Sequence, residues 1–309
     1  MPSIALRVVS SAFVCWLLSL WLLKSHRGGA VIKDELLQTQ RPKQGTPVVG
    51  GIAFSLATIT VSLLDPHLFE PAFYIPLVTL IIFAITGLID DRAKARLISS
   101  DGLTSLTKLL LQSLGAVAVL SLMAQAGFVD TSLAIGPYTL ALGPWYWILA
   151  FCYLLFFVNA VNITDGLDTL AAGSSIPLLL LISAIAIRRG SQPPASLLGA
   201  LAVFLFFNAH PARYFMGDVG SHALGSSIAV YALLFKVEVM LLVAAGLFLV
   251  ELATSLIQII SIRRFGYKVF TIAPLHHAYE LKGLGERTIV RRFVMASWVC
   301  GALSLILLW

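Results

Sequence analysis

The sequence predicts an all-α, polytopic membrane protein of about ten transmembrane helices, forming a single integral membrane domain over residues 1–309. Three observations carry this. Of the 309 residues, 59% are hydrophobic and 12% charged, which excludes a disordered chain and an ordinary soluble domain. Uncharged stretches of about 17 to 24 residues recur from end to end, the length that crosses a bilayer core. Lys and Arg concentrate in alternate connectors, the pattern of a chain that threads a membrane repeatedly.

In chain order, the first stretch, 4–23, is long enough to span and lacks a small-residue cleavage site before the next polar segment, so it reads as a retained span. The second, 47–64, is entered through a Gly/Pro-shaped segment that starts at Lys43, and the third, 71–89, ends at Asp90 and Asp91. Spans 109–129 and 143–163 follow, and almost no loop separates 143–163 from 169–187. Span 194–210 stops at Pro211, 219–235 begins after a Gly-rich turn, 239–262 carries Glu251 and Gln258, and 293–309 closes the set. Each such stretch satisfies its own backbone only as a helix. Cys15, Cys152 and Cys300 lie in three different stretches and read as packing residues.

The connectors after spans 1, 3, 5, 7 and 9 hold 17 of the 21 basic residues, which puts them in the cytoplasm and both termini opposite. Arg188 and Arg189 run against this bias. Most acids share the basic side, among them Asp34, Glu35, Asp101, Glu280 and Glu286. No internal repeat is evident, so inverted-repeat transport architecture gains no support. The basic face is expected to meet the lipid bilayer, with no nucleic acid as partner.

Four polar clusters could carry chemistry. Asp90 and Asp91, followed by Lys94, suit a divalent cation or a general base, although charges at a membrane boundary are common without function. Asn159, Asn162, Asp165, Gly166, Leu167 and Asp168 run across the junction of 143–163 with 169–187, at or below the membrane surface; helix capping accounts for one or two of these polar side chains but not for all four. Asn208 to Ser221 contains Phe215, Gly217 and Asp218 ahead of a helix start, where exposed N–H groups attract phosphate and a carboxylate can hold Mg²⁺. The longest basic connector carries His276 and His277, which could donate to phosphate or move protons near neutral pH. His210 and His222 read more simply as interfacial or packing residues. Glu251 and Gln258 share a helical face, and either a functional acid or a bond to a neighbouring helix explains them. All four clusters and Lys43 fall on one side, which unconnected caps would not require. Asp90, Asp91, Asp165, Asp168 and Asp218 beside Lys and His suggest a metal-plus-anion site for phosphoryl chemistry.

At these residues the chain resembles the polyprenyl-phosphate N-acetylhexosamine-1-phosphate transferase superfamily and, within it, the phospho-N-acetylmuramoyl-pentapeptide transferase family. The matching segments are KQGTPVVGG, GLIDDRAK, NAVNITDGLD, FNAHPARYFMGDVGS and APLHHAYELKG, in family order over residues 43 to 283. The resemblance implies transfer of phospho-MurNAc-pentapeptide from UDP-MurNAc-pentapeptide to undecaprenyl phosphate, giving lipid I and UMP at the cytoplasmic face of a bacterial plasma membrane. It implies Mg²⁺ with Asp218 as ligand and Asp91 in support, Asp90 as base toward the lipid phosphate, and Asn208 and Lys94 positioning phosphates. It further implies a nucleoside strip of Asn162, Asp165, Gly166, Leu167 and Asp168 with Phe215 on the uracil, His276 and His277 near the diphosphate and sugar, and a homodimer. Direct attack by the lipid phosphate is favoured over a covalent intermediate, because that phosphate is already a nucleophile. The chain departs from the family pattern at Ala278, where a third His is usual, at Thr169, where Gly is usual, and at Leu106, a position often basic, with Lys108 nearby. The neighbouring readings are a UDP-GlcNAc:undecaprenyl-phosphate transferase and, from another class, a secondary transporter, which would scatter its acids along a pore.

Overall fold

The computed structural model describes residues 4–25, 29, 43–97, 102–128 and 130–308, so Asp34, Glu35 and Asp101 lie outside the described residues. Twelve α-helices fall within them: α1 Ile4–Ser25, α2 Gly50–Leu63, α3 Pro71–Leu97, α4 Ser105–Gln125, α5 Trp145–Thr164, α6 Leu170–Arg188, α7 Ala195–Asn208, α8 Gly217–Leu234, α9 Glu238–Ala244, α10 Gly246–Phe265, α11 Leu275–Leu281 and α12 Glu286–Ser304. The only strands among them, Ser132–Ile135 and Tyr138–Ala141, pair as an antiparallel hairpin in the connector after α4.

All ten expected spans are helical, but they differ in kind. Among the described residues, seven helices are long and apolar enough to cross a membrane, whereas α2 and α7 are apolar but have only 14 residues each. The expected ninth span is interrupted at Ala245, between α9 and α10. Helix α8 differs for a physical reason: every residue from Asp218 to Leu234 is buried. A helix enclosed by protein has no lipid to face, so it tolerates Gly, Ser and His that a lipid-exposed span would not. Helices α2, α3 and α5 surround it, and α1 and α7 pack outside α2.

Glycine sets how closely these helices approach. A Cβ on Gly87 in α3 would lie 2.1 Å from the carbonyl oxygen of Asp218, and one on Gly51 in α2 would lie 2.3 Å from the amide nitrogen of Gly220. The crossings of α2 and α3 with α8 are therefore backbone-to-backbone contacts, and they bring the end of α3 against the start of α8.

Two of the four basic residues on the sparse side have structural partners at hand. Arg189 donates to the carbonyl of Phe235, the C-cap of α8, where a cation suits the helix dipole. Arg7, 4% exposed, lies 3.5 Å from Asp65 and donates to Gln192 at 2.6 Å.

Thr169 has φ 65, in the left-handed region, where a β-branched residue is disfavoured. Its N–H donates to Asn208 Oδ1 at 2.7 Å and its hydroxyl to the Asp168 carbonyl at 2.6 Å, contacts that hold the turn despite the strain. Thr169→Gly is expected to stabilise the protein by about 1 kcal/mol, seen as a thermal midpoint raised by a few degrees in detergent. An unchanged or lower midpoint would show that the threonine hydroxyl offsets the backbone cost.

Candidate active site

Six side chains from four helices meet at one end of the bundle. The last turns of α3 supply Asp90, Asp91 and Lys94, the first turn of α4 supplies Lys108, the end of α5 supplies Asn162, and the start of α8 supplies Asp218. The two oxygens of Asp91 accept the N–H groups of Asp218 and Val219 at 3.0 Å each. A carboxylate from one helix thus caps another, where amide donors are unpaired and negative charge is favoured. Asp218 Oδ1 accepts Lys94 Nζ at 2.8 Å and Asn162 Nδ2 at 2.9 Å, while Oδ2 accepts Lys108 Nζ at 2.5 Å. Asp90 Oδ2 lies 3.2 Å from Lys94 Nζ and 3.3 Å from Lys108 Nζ, and its Oδ1 accepts the Leu103 N–H at 2.7 Å. Asn162 Oδ1 accepts Lys108 Nζ at 3.1 Å.

Three carboxylates around two ammonium groups retain a net negative charge, and every ligand atom they offer is a hard oxygen. That donor set fits a hard divalent cation, with Asp218 the most exposed to competition between metal and lysine because both its oxygens face ammonium groups.

A second centre forms around Lys43. Its Nζ lies 2.9 Å from Asp168 Oδ1 and 2.5 Å from Glu286 Oε1. Burial works against a charged amine there, but Glu286 and Asp168 outweigh it and raise the Lys43 pKa, so the ammonium is firmly held. His210 Nδ1 sits 2.8 Å from Asp168 Oδ2 and 3.2 Å from Glu286 Oε2. Asp168, His210 and Glu286 present ligand atoms within 4.8 Å of one another, a spacing a metal could use, yet the cation in this geometry is Lys43 itself. The Phe215 ring lies 5.8 Å from Lys43 Nζ and is half-buried. Asp165, the C-cap of α5, feels both centres: desolvation raises its carboxyl well above the usual range, Asp218 and Asp91 add to this, and Lys43 and Lys94 oppose it.

The third element is the histidine pair. His276 Nδ1 faces Glu251 Oε2 at 2.9 Å, with both side chains fully buried. Burial, reinforced by neighbouring His277, keeps the His276 pKa well below its ordinary value, so the ring is neutral. If Nδ1 carries the proton toward Glu251, Nε2 keeps its lone pair, and Nε2 has no hydrogen-bond partner among the described residues. A Cβ at Gly166 would fall 2.2 Å from this nitrogen, so only glycine admits the ring beside the 162–168 strip. His277 Nδ1 contacts Glu280 Oε2 at 2.6 Å.

The structure therefore divides the expected residues. Asp90, Asp91, Lys94, Asn162 and Asp218 gather directly, Asp168 joins Lys43 in a separate ion-pair cluster, and Asp165 lies within electrostatic reach of both. Leu167, 3% exposed, packs with Leu170, Ile289 and Phe293. Asn208 uses its amide on backbone groups, accepting from Thr169 and donating to the Tyr214 carbonyl at 2.9 Å, so it shapes the loop that carries Phe215. Lys108, His210, Glu251 and Glu286 take larger places than the sequence pattern gave them. Lys108 supplies the charge that Leu106, 67% exposed, does not. Its signal was a lone cation just inside the entry to an apolar stretch.

Comparison with known proteins points to one family. The family model for glycosyl transferase family 4 matches residues 73–236, a range that contains all six residues of the first centre. The phospho-N-acetylmuramoyl-pentapeptide-transferase of Geobacillus sp. (strain WCH70) is 37% identical over 290 residues, covering 91% of this chain and 88% of that protein. Its counterpart in Shouchella clausii (strain KSM-K16) is 38% identical over 296 residues, covering 92% and 89%. That of Bacillus subtilis (strain 168) is 33% identical over 293 residues, again covering 92% and 89%. With similarity above 30% identity over about nine tenths of both chains, the chain belongs to the phospho-N-acetylmuramoyl-pentapeptide-transferase family.

Proposed function

We propose that this protein transfers phospho-MurNAc-pentapeptide from UDP-MurNAc-pentapeptide to undecaprenyl phosphate, forming lipid I and UMP for peptidoglycan synthesis. Its active site faces the cytoplasm of a bacterial plasma membrane. The observation that carries this reading is the convergence of Asp90, Asp91, Asp218, Lys94 and Lys108 at one helix start, rather than their dispersal along a pore. Sidedness rests on the basic connectors, and pairing of two copies rests on family resemblance alone.

In the proposed reaction an oxygen of the lipid phosphate attacks the β-phosphorus of the donor, the bond from that phosphorus to the bridging oxygen breaks, and the bridging oxygen leaves with UMP. A phosphomonoester loses its second proton near pH 6, so the acceptor is largely competent at neutral pH. Asp90 takes the remaining proton where one is present. Lys94 and Lys108, each shared between carboxylates, turn to the diphosphate oxygens and offset charge there. Asp218, with Asp91 in support beside it, would hold Mg²⁺, which would supply charge neutralisation at the diphosphate. Asp91 also fixes the first turn of α8, so Asp218 needs no rearrangement to serve. The Asp165, Gly166 and Asp168 part of the strip, Lys43 and Phe215 take the uridine, and His276 offers Nε2 as an acceptor toward the donor's sugar.

An assay offering UDP-MurNAc-pentapeptide and UDP-GlcNAc side by side with undecaprenyl phosphate is expected to show UMP release from the first alone; turnover of the second would move the chain to the sister activity. Asp218→Asn and Lys108→Gln are each expected to lower kcat by on the order of 10² or more in protein that remains monodisperse. A near-normal rate in either removes that residue from its role. Chelation by EDTA is expected to stop turnover and added Mg²⁺ to restore it, whereas cation-independent activity would refute the metal assignment.

A further inference from the structure

Glu286 belongs to none of the sequence segments that mark the family resemblance, yet it joins three of them. Its Oε1 accepts Lys43 Nζ at 2.5 Å and the Asp168 backbone N–H at 2.7 Å, and its Oε2 lies 3.2 Å from His210 Nδ1. Asp168 completes the cluster through the same lysine and the same histidine, and its Oδ2 also accepts the Ala212 N–H at 3.1 Å. The adjacent Arg287 donates to the His210 carbonyl at 3.1 Å. One and two turns further along α12, Ile289 and Phe293 pack with Leu167 and Leu170, so the helix that carries Glu286 is fixed against the strip it contacts.

We propose that Glu286 is a positioning residue for the nucleotide half of the donor, an inference that rests on the reading above of a uridine diphosphate sugar as substrate. It sets the path of the backbone at Asp168 and aims the ammonium of Lys43 without touching the reacting phosphorus. A lysine is a compact charge on a flexible stem, and its direction is defined only by what holds it. Here the side chain is 12% exposed and pinned between two carboxylates. Without Glu286 the ammonium would follow Asp168 alone, and the Asp168 N–H would lose its acceptor. The donor would then have to order both groups as it binds. None of the residues in the Asp218 centre is part of this cluster, so the cost falls on binding and not on chemistry.

The test uses the full chain in detergent with undecaprenyl phosphate. Glu286→Gln keeps the volume and removes the charge, and Glu286→Asp keeps the charge and shortens the reach. For Glu286→Gln, the KM for UDP-MurNAc-pentapeptide and the Kd for UMP, measured by calorimetry, are each expected to rise about tenfold. The kcat and the KM for undecaprenyl phosphate are expected to stay within about threefold. Glu286→Asp is expected to recover part of the loss, and Lys43→Gln is expected to add little in the Glu286→Gln background, because the two act as one unit. Unchanged donor KM and UMP affinity would overturn the proposal, as would a fall in kcat with both affinities intact. If the wild-type chain binds UMP but does not turn over UDP-MurNAc-pentapeptide, the donor reading fails, and the UMP titrations alone then support or overturn the role of Glu286.

Discussion

Carboxylates kept within a few ångströms of one another at the edge of an apolar bundle repel, and the structure depends on how that repulsion is met. Lys94 and Lys108 each bridge Asp90 and Asp218, and the two oxygens of Asp91 are absorbed by the amide donors at the start of α8. Neither device would serve alone. The lysines offset charge but leave the helix start uncapped, while the cap orients Asp218 but leaves it facing another acid. Together they hold a charged site in a place that apolar packing would otherwise exclude.

The glycine crossings are the mechanical counterpart of this electrostatic arrangement. Side chains as short as aspartate reach across two helices only if the backbones touch, and Gly87 and Gly51 allow that contact with α8. The polar chain continues inward from the site: Asn162 donates to Ser221, and His222 on the next residue lies 3.0 Å from Thr86 and 3.3 Å from Gln112. Side chains that look isolated in the apolar text of the sequence are thus paired across α3, α4 and α8.

Much of this was legible in the sequence because the information is local. The lengths of the apolar stretches gave the helices, and the GLIDD, NITDGLD and FMGDVG segments gave the acids. What escaped were pairings between residues far apart in the chain and unremarkable nearby. Glu286 reads as an acid in the first turn of a helix, a common and usually solvated position, and only its place against Lys43 and Asp168 gives it a role. His210 and Lys108 are similar. In the other direction, Gln258 shared a face with Glu251 and so seemed its equal. The structure spends the Gln258 amide on the backbone of Val269 and Phe270, while Glu251 orients His276. Helical phase places two side chains together but does not say what each will meet.

The enclosure of α8 has a consequence for how the molecule comes to exist. A segment holding Asp218, Ser221, His222, Ser226 and Ser227 gains little from partitioning into lipid by itself. Its favourable free energy comes from neighbours, and α2, α3 and α5, which cover it, are all synthesised earlier. Lipid-facing helices are free to enter the bilayer singly, whereas this one has to be received by a partly assembled bundle. The chemistry of the site is therefore completed late in biogenesis, and an error in the earlier helices would deprive α8 of its solvent before it deprived the enzyme of any reacting group.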